Sequence, residues 1–386
     1  MNRLDWLNFW FRICPTAFLA FGLGMTTFVS VGLTQSVDPL LLDRSDPLIP
    51  QGYGRRELSS FEKYRIQKEI DKLDRTARDR LNQDDTNSAV TQWYRQLRLA
   101  RVIGTEAEIE ALGKVGAIFW EENLREDVRN IANRLMEIQT MDKEIPGKVL
   151  SNLAIAYESV RYLDKAIDIY QQILATNRTN RDSTLDKLGE LYLGIFDYDN
   201  AATIYQNKLG QDITKDEQEL ILKTLVEIFD NSNKQEQSIA VKEQLIELYL
   251  SEDKNKKIPI LIMAIARDRE NLSQTEKAFK AYEKSLILAL DNKQLGIASD
   301  VLASTGQLYQ QQKDSQKAIA TYNQLISIQQ QSYNDYGLIN TYDTLGKIYL
   351  NLKQKKLAQQ YFEKGLYLAE SINYRVEYFR DRLDSL

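Results

Sequence analysis

One spacing of small and aromatic residues recurs in this 386-residue chain and limits its fold more than any other feature. In TYDTLGKIYLNLKQKKLAQQYFEKGLYLA (341–369), Gly346, Tyr349, Ala358 and Phe362 follow one another at intervals of three, nine and four residues. Such a spacing predicts two antiparallel helices. The small residues would lie where the helices approach most closely, and the aromatics would fill the wedge toward the next pair.

Three further segments carry the same spacing. Their positions are Ala154, Tyr157, Ala166 and Tyr170, then Gly189, Tyr192, Ala201 and Tyr205, then Gly306, Tyr309, Ala318 and Tyr322. Degenerate copies are Ala266, Ala278 and Tyr282; Val226, Phe229, Ser238 and Leu245; Gly116, Phe119, Val128 and Ala132; and Ala77, Ala89 and Trp93. The first small position then recurs in steps of 39, 38, 35, 37, 40, 40 and 40 residues. Each helix pair leaves an apolar face that only a neighbouring pair covers, which predicts a stacked solenoid.

The pattern resembles the tetratricopeptide repeat family over roughly residues 69–372, specifically in four copies and loosely in four. The resemblance implies an all-α, right-handed superhelical solenoid of about six to eight repeats. It also implies a concave face, lined by the first helix (A) of each pair, that binds a segment of another protein, and it implies no catalysis. Longer steps of 40 residues predict longer helices, with helix A of the last copy near 339–352 and helix B near 356–370.

The N-terminal 36 residues have the composition of a signal peptide or a transmembrane anchor. Arg3 and Arg12 precede a run of 21 uncharged residues, Ile13 to Leu33, which is long enough to span a bilayer. Small residues at Ser30 and Gly32, or at Ser36, leave cleavage equally open. Either reading places the bulk of the chain outside the cytoplasm, either anchored to the membrane or secreted, and in the periplasm if the chain is bacterial.

The remaining chain divides into four parts. Residues 37–58 hold three of the six prolines and predict an extended linker, which could dock on a partner, lie against the first helices or space the protein from a membrane. Residues 59–146 are expected to form degenerate helical hairpins, 147–372 the solenoid and 373–386 a C-terminal capping helix. A capping-box pattern, Ser59 to Glu62, starts the first helix, and its apolar face is expected to be Phe61, Ile66, Ile70, Leu73, Ala77 and Leu81.

The composition disfavours most kinds of catalytic, metal-binding and nucleic-acid-binding site. The chain has no histidine, and its one cysteine, Cys14, lies in the apolar N-terminal run, so histidine-dependent catalysis and a thiolate metal site are disfavoured. Acidic and basic residues are interspersed at a net charge of −5, which disfavours nucleic acid as a partner. We therefore expect no enzyme activity, cofactor or metal. Carboxylates such as Asp230, Asp268 and Glu270 are expected to lie on solvated helix faces.

The family resemblance implies which side chains line the groove. Its helix-A positions 2, 5, 9, 12 and 13 hold eight acids and four bases in the six repeats from residue 147. The acids are Glu158, Asp186, Glu190, Glu227, Asp230, Glu270, Asp300 and Asp343, and the bases are Lys148, Lys223, Arg267 and Lys347. Amides at the same positions include Asn231, Asn271, Gln307, Gln310 and Asn351. The hypothesis is a polar, net-basic partner segment; the alternative is that the acidity reflects overall charge and that contacts lie on the loops or the linker.

Two classes of function fit the sequence. One is a protein-binding scaffold, exported or tethered to a membrane, that acts in assembly of an envelope or membrane complex. The other is a structural solenoid that associates with copies of itself.

We predict that a fragment of residues 37–386 is soluble and strongly helical without the N-terminal apolar run, because the repeats bury one another. Circular dichroism of the purified fragment checks this prediction. A fragment that precipitates or gives a strand-dominated spectrum would contradict both the topology and the fold.

Overall fold

The computed structural model describes residues 38–141, 146–176 and 181–386, and in these ranges it is helical without a β-strand. The predicted signal or anchor segment, residues 1–36, lies outside the described residues. The helices are α1 (Ser60–Leu81), α2 (Thr86–Ile103), α3 (Thr105–Glu121), α4 (Arg125–Met141), α5 (Gly147–Ser159), α6 (Leu163–Thr176), α7 (Arg181–Gly194), α8 (Tyr198–Leu209), α9 (Lys215–Asn231), α10 (Gln235–Ser251), α11 (Ile258–Asn271), α12 (Thr275–Asp291), α13 (Leu295–Gln311), α14 (Ser315–Gln331), α15 (Asp335–Asn351), α16 (Lys355–Ser371) and α17 (Val376–Asp384). None of them combines the length and the apolar character that crossing a bilayer requires.

Consecutive helices pack in pairs, and neighbouring pairs stack on one another. Odd-numbered helices from α1 to α15 are the A helices and even-numbered ones the B helices. In the last pair, α15 starts four residues before the predicted position, while α16 lies close to its predicted bounds.

The A-to-B turns show the repeat period independently of side chains. In every pair, the residue seven positions after the first small position has a left-handed backbone, with φ between 55° and 61°. These residues are Asp84, Asn123, Arg161, Phe196, Asn233, Ser273, Lys313 and Lys353. The next residue donates its N–H across the turn, as Gln354 does to the Tyr349 carbonyl at 2.9 Å. This geometry closes a helix and reverses the chain.

Within a pair, a small residue of helix A lies under the large side chain found 16 residues later in helix B. A Cβ on Gly306 would lie 2.7 Å from the Tyr322 ring, and one on Gly189 would lie 3.0 Å from Tyr205. A Cβ on Gly346 would overlap Phe362, which is fully buried. The ring of helix B therefore lies over the small residue of its own pair, and Phe362, which was expected to fill the wedge toward the next pair, covers Gly346 and shares a buried cluster with Phe379 of α17.

The helix-A tyrosines make the contacts between pairs instead. Tyr157 is fully buried, and its hydroxyl donates to Gln139 of the preceding B helix at 3.0 Å. Gln171 of α6 donates to the Tyr192 hydroxyl at 2.6 Å, and Tyr309 stacks on Phe279 of α12 with ring centroids 4.3 Å apart. These aromatics join each A helix to the repeat before it.

The pair α9 and α10 departs from this pattern. Sequence comparison placed Leu245 at its aromatic position, but the residue 16 positions after Val226 is Lys242. Lys242 is 3% exposed, and its ammonium donates to Asp230 at 3.0 Å and to Asp268 of α11 at 2.7 Å. Burial raises the pKa of Asp268 despite this lysine. A buried ion pair therefore replaces the aromatic ring here.

Both ends of the helical stack are covered by non-repeat segments. Residues 38–58 lie along α2: Leu40 is buried, Arg98 donates to the Pro39 carbonyl at 2.6 Å, and Arg95 pairs with Asp46 at 2.9 Å. Of the three roles considered for this linker, the structure shows packing against the first helices. At the other end, Phe379 of α17 packs over Gly365 of α16 and is fully buried.

The first helix begins at its predicted start signal, and prolines begin two later helices. The Ser59 hydroxyl and the Glu62 carboxylate form the predicted capping box, and Pro146 and Pro259 lie at the starts of α5 and α11. On α1, however, Phe61 is 67% exposed, so it does not belong to the apolar face that Ile66 begins.

A carboxylate on α9 organises the turn before α11. Glu219 is 8% exposed and accepts hydrogen bonds from Lys223 at 2.6 Å and from Lys254 and Lys257 at 2.8 Å. Tyr249 donates to it as well, at 3.0 Å. These donors, Lys223 first, hold the pKa of Glu219 well below its ordinary value.

We predict that Gly346→Leu, like Ala318→Leu, lowers the free energy of unfolding by about 1–3 kcal/mol or more, because the added atoms have no room against the facing helix. Gly210→Leu is the control, since Gly210 is exposed and a Cβ there meets only the Asn207 carbonyl at 3.6 Å. Thermal melts followed by circular dichroism give the ranking. The reverse order would show that the repeat assignment is wrong.

We predict that Glu219→Gln lowers the free energy of unfolding at pH 7 by about 1–3 kcal/mol, since the lysines then surround a neutral amide. A carboxyl group whose folded-state pKa is lowered stabilises the fold above its unfolded pKa of about 4.3, and this contribution is lost as the pH falls. Urea unfolding should therefore show a difference from wild type that shrinks below about pH 4. Glu227→Gln, on the same helix without an ion pair, is the control; a pH-independent difference at Glu219 would refute the assignment.

Candidate protein-binding surface

The A helices form the more closely spaced layer of the stack. Contacts between A helices of neighbouring pairs occur at α3 with α5 and at α11 with α13. The first approach depends on glycine: a Cβ on Gly113 would lie 3.2 Å from the Ala156 Cα, and one on Gly116 would overlap Val160. Because the inner layer of a curved stack is the compressed one, we take the A helices as the lining of the concave surface.

Five of the side chains predicted to line the groove are exposed and make no hydrogen bond or ion pair within the described residues. They are Glu227, Asn231, Asn271, Gln307 and Asn351. Arg267 is also exposed, and its only polar contact is with the Met263 sulfur at 3.9 Å. These groups lie on α9, α11, α13 and α15, and their polar atoms are available to another molecule.

Other predicted groove residues already have partners in their own or a neighbouring repeat. The Tyr282 hydroxyl donates to Glu270 at 2.5 Å, and the Gln310 amide donates to the Tyr322 hydroxyl at 2.7 Å. Burial, followed by Glu270, raises the pKa of Tyr282. Asp230 accepts from Lys242 and from Ser238. Glu270, Gln310 and Asp230 stand at the same helix-A position, position 12, and each contacts helix B of its own pair.

Ion pairs reduce the acidity expected of this surface. Lys187 contacts Glu190 at 3.1 Å, and Lys208 pairs with Asp186. Asp343, which the sequence placed in the groove, is 4% exposed and accepts from Lys347, Arg375 and Tyr378. Asp343 is therefore a buried structural residue, because the C-terminal α17 brings Arg375 and Tyr378 over it.

Two adjoining cavities lie on the A-helix side of the first three pairs, outside the groove that the sequence predicted. One, of about 650 Å³, lies among α1, α2 and α3, and the other, of about 610 Å³, lies between α3 and α5. They share Arg78, Glu110 and Lys114 in their walls. The groove positions could not be assigned here from the sequence because the repeat spacing is degenerate. The alternating charges of α1 and α3 are visible in the sequence.

The sequence-based prediction of the groove also omitted exposed aliphatic side chains on the A helices. Ile155 of α5 is 55% exposed, Leu220 of α9 is 65% exposed and Ile260 of α11 is 50% exposed. They occupy the same helix-A positions as the polar groove residues, so the surface offers apolar contacts between hydrogen-bonding groups. A search for charge alone could not detect them.

The described residues contain no cluster of three or more histidine, cysteine, aspartate or glutamate side chains that could hold a metal ion. Asp230 and Asp268, considered above as solvated carboxylates, both bind the buried ammonium of Lys242. What the surface offers chemically is hydrogen bonding and apolar contact along a row of helices.

Comparisons with known proteins agree with the repeat pattern. Sequence-family models described as tetratricopeptide repeat match residues 300–371 and residues 149–183. The first match covers α13 to α16 and the second covers α5 and α6 together with the start of α7. Among curated proteins, no sequence matches this chain.

Solved structures that match this chain have low sequence identity and TM-scores below 0.5. BtubC from P. vanneervenii is 16% identical and covers 55% of this chain and 90% of its own, with a TM-score of 0.38. Aspartyl phosphate phosphatase F from Bacillus subtilis is 17% identical and covers 68% and 76%, with a TM-score of 0.41. The C-terminal part of a TPR repeat-containing protein from Cytophaga hutchinsonii is 14% identical and covers 66% and 95%, with a TM-score of 0.40.

The matched segments coincide with copies that the spacing of small and aromatic residues defines. In residues 149–183 and 300–371 the chain is thus similar to tetratricopeptide repeats both in the spacing of small and aromatic residues and in the family-model match.

Proposed function

We propose that this protein is a non-catalytic scaffold that binds a segment of another protein along its A helices. The observation that carries the proposal is the row of unpaired, exposed polar side chains on α9, α11, α13 and α15, with exposed aliphatic residues between them. Amides such as Asn231 and Asn271 can hydrogen-bond an extended backbone without dictating its sequence. The family match to tetratricopeptide repeats supports a protein as the partner.

The preferred segment, in this proposal, is polar and net-basic, with apolar side chains at intervals. Glu227 and Asp300 are exposed acids on the A helices without an intramolecular ion pair, so they can attract a basic segment. Leu220 and Ile260 supply the apolar contacts. Near the N-terminal cavities the charges are balanced, and the same segment would meet both signs there.

We further propose that residues 1–36 place this scaffold at or across a membrane, with the repeats outside the cytoplasm. The support is the uncharged run from Ile13 to Leu33 behind a basic flank. Action in assembly of an envelope or membrane complex fits this location. Self-association remains the alternative, although the polar outer residues of α17, such as Glu377 and Arg380, cover the C-terminal end of the stack.

The test compares two double variants with equal charge change in affinity capture followed by mass spectrometry. Glu227→Lys with Asp300→Lys reverses free acids of the groove, and the control, Glu247→Lys with Glu283→Lys, reverses exposed acids of α10 and α12 that have no ion pair. Asp230 and Glu270 are left intact because they hold Lys242 and Tyr282.

We expect the groove variant to lose partners that the control retains, with a roughly tenfold weaker affinity and a smaller salt dependence for a purified partner. Equal capture by both variants would remove the groove from the proposal. Recovery of this chain alone, together with dimers in light scattering, would favour the self-associating alternative.

A further inference from the structure

The outer face of α1 combines exposed aromatic rings with exposed cations. Phe61 and Tyr64 are 67% and 63% exposed, one turn apart. Arg65, Lys68 and Lys72 follow at intervals of three and four residues, which places them on the same face, and all three are exposed. The opposite side of the helix carries Ile66, Ile70, Leu73 and Ala77, which are buried.

Cations outnumber acids on this face: Asp71 and Asp79 lie along it, whereas Glu62 and Glu69 point away from it and have partners. Glu62 is bound by Arg56 at 2.6 Å, and Glu69 by Arg95 at 3.1 Å. Asp71 lies toward the cavity between α1 and α3 and accepts from Gln67 at 2.9 Å. Lys72 approaches Glu69 only at 3.7 Å, so the face retains a positive charge.

The position of α1 in the chain indicates what could cover this face. As the first helix of the stack, α1 has a neighbouring pair on one side only. The predicted bilayer-spanning run ends at Leu33, and Arg98 holds the Pro39 carbonyl on α2. Six residues of extended chain span at most about 21 Å, so a membrane-inserted run would hold the Pro39 contact on α2, against which α1 packs, within that distance of the lipid surface.

We propose that the outer face of α1 lies against an anionic lipid surface. The proposal rests on the membrane tether proposed above. Exposed aromatic rings above a set of cations form the pattern of helices that bind at the membrane interface, with the rings at the headgroup level and the cations drawn to anionic headgroups. The contact would fix the direction in which the solenoid leaves the membrane and leave the A-helix surface free for protein.

The test uses the full chain in vesicles and labels lysines with an amine-reactive reagent, followed by mass spectrometry. Lys68 and Lys72 report on the α1 face, while Lys277, Lys280 and Lys284 are exposed on α12 and serve as internal references. In vesicles with phosphatidylglycerol we expect labelling of Lys68 and Lys72 to fall by roughly threefold or more relative to phosphatidylcholine vesicles, and to recover in high salt. The α12 lysines should label equally in both.

A pair of matched variants separates the face from general charge attraction. Phe61→Ser with Tyr64→Ser should abolish the protection of Lys68 and Lys72. The control is Tyr333→Ser with Tyr336→Ser, which removes two tyrosines with the same spacing that are 89% and 59% exposed, and it should leave the protection intact. Both pairs are largely exposed, so the fold should tolerate either change.

The failures can be told apart. If the chain floats with the vesicles while Lys68 and Lys72 stay reactive, the lipid contact is wrong and the tether stands. If the chain does not float with them, both the tether and the contact are wrong, and protein binding is judged by the groove variants alone. Equal protection of Lys68 and Lys72 in phosphatidylcholine vesicles would overturn the proposal, because the contact would not depend on anionic lipid. Protection that rises with protein density would overturn it too, because another copy of the chain would then cover the face.

Discussion

The stack depends on one contact that most of the helix pairs share: a small residue of helix A under a large side chain 16 positions later in helix B. Where the pair is Gly346 and Phe362, the ring occupies the space that a Cβ would need. Where the ring is a tyrosine, as in Tyr170 and Tyr282, its hydroxyl passes beyond the small residue and donates to Glu158 or Glu270 at 2.5 Å. Shape therefore sets the distance between the two helices, and the hydroxyl fixes their alignment.

In the pair α9 and α10, where helix B has no aromatic ring, charged groups hold the helices together. Lys242 spans from Asp230 of its own pair to Asp268 of the next, so a single ammonium joins three helices. Removing one partner of such a buried group leaves the other uncompensated, which makes the arrangement specific although it adds little net stability. Glu219 and Asp343 do the same at the turn before α11 and beneath α17. Polar contacts thus replace the aromatic ring in the α9 and α10 pair and add to it where α17 packs on the last pair.

Polar side chains on the A helices are of two kinds: some bind helix B of their own pair, and others are free to bind another molecule. Asp230, Glu270 and Gln310 face helix B and are occupied, whereas Asn231 and Asn271, one residue further along, are free. A turn of 100° per residue is enough to move a side chain from the helix interface to the open surface. The proposed protein-binding surface on α9 to α15 and the proposed lipid-binding face of α1 use different residues of different helices.

The sequence by itself determined the helical class, the repeat period and the turn positions. Steric requirements for small residues at close helix contacts are local and leave a fixed spacing, and the left-handed turn residues fall at that same spacing. Sequence alone could not decide which groove residues are free, because Asp343 is buried only by the later packing of α17, and Lys242 occupies a position where the period predicts a ring. The exposure of Phe61 and the packing of residues 38–58 on α2 were likewise decided by the tertiary structure. Burial depends on which neighbours arrive from elsewhere in the chain, and no spacing within one repeat encodes that.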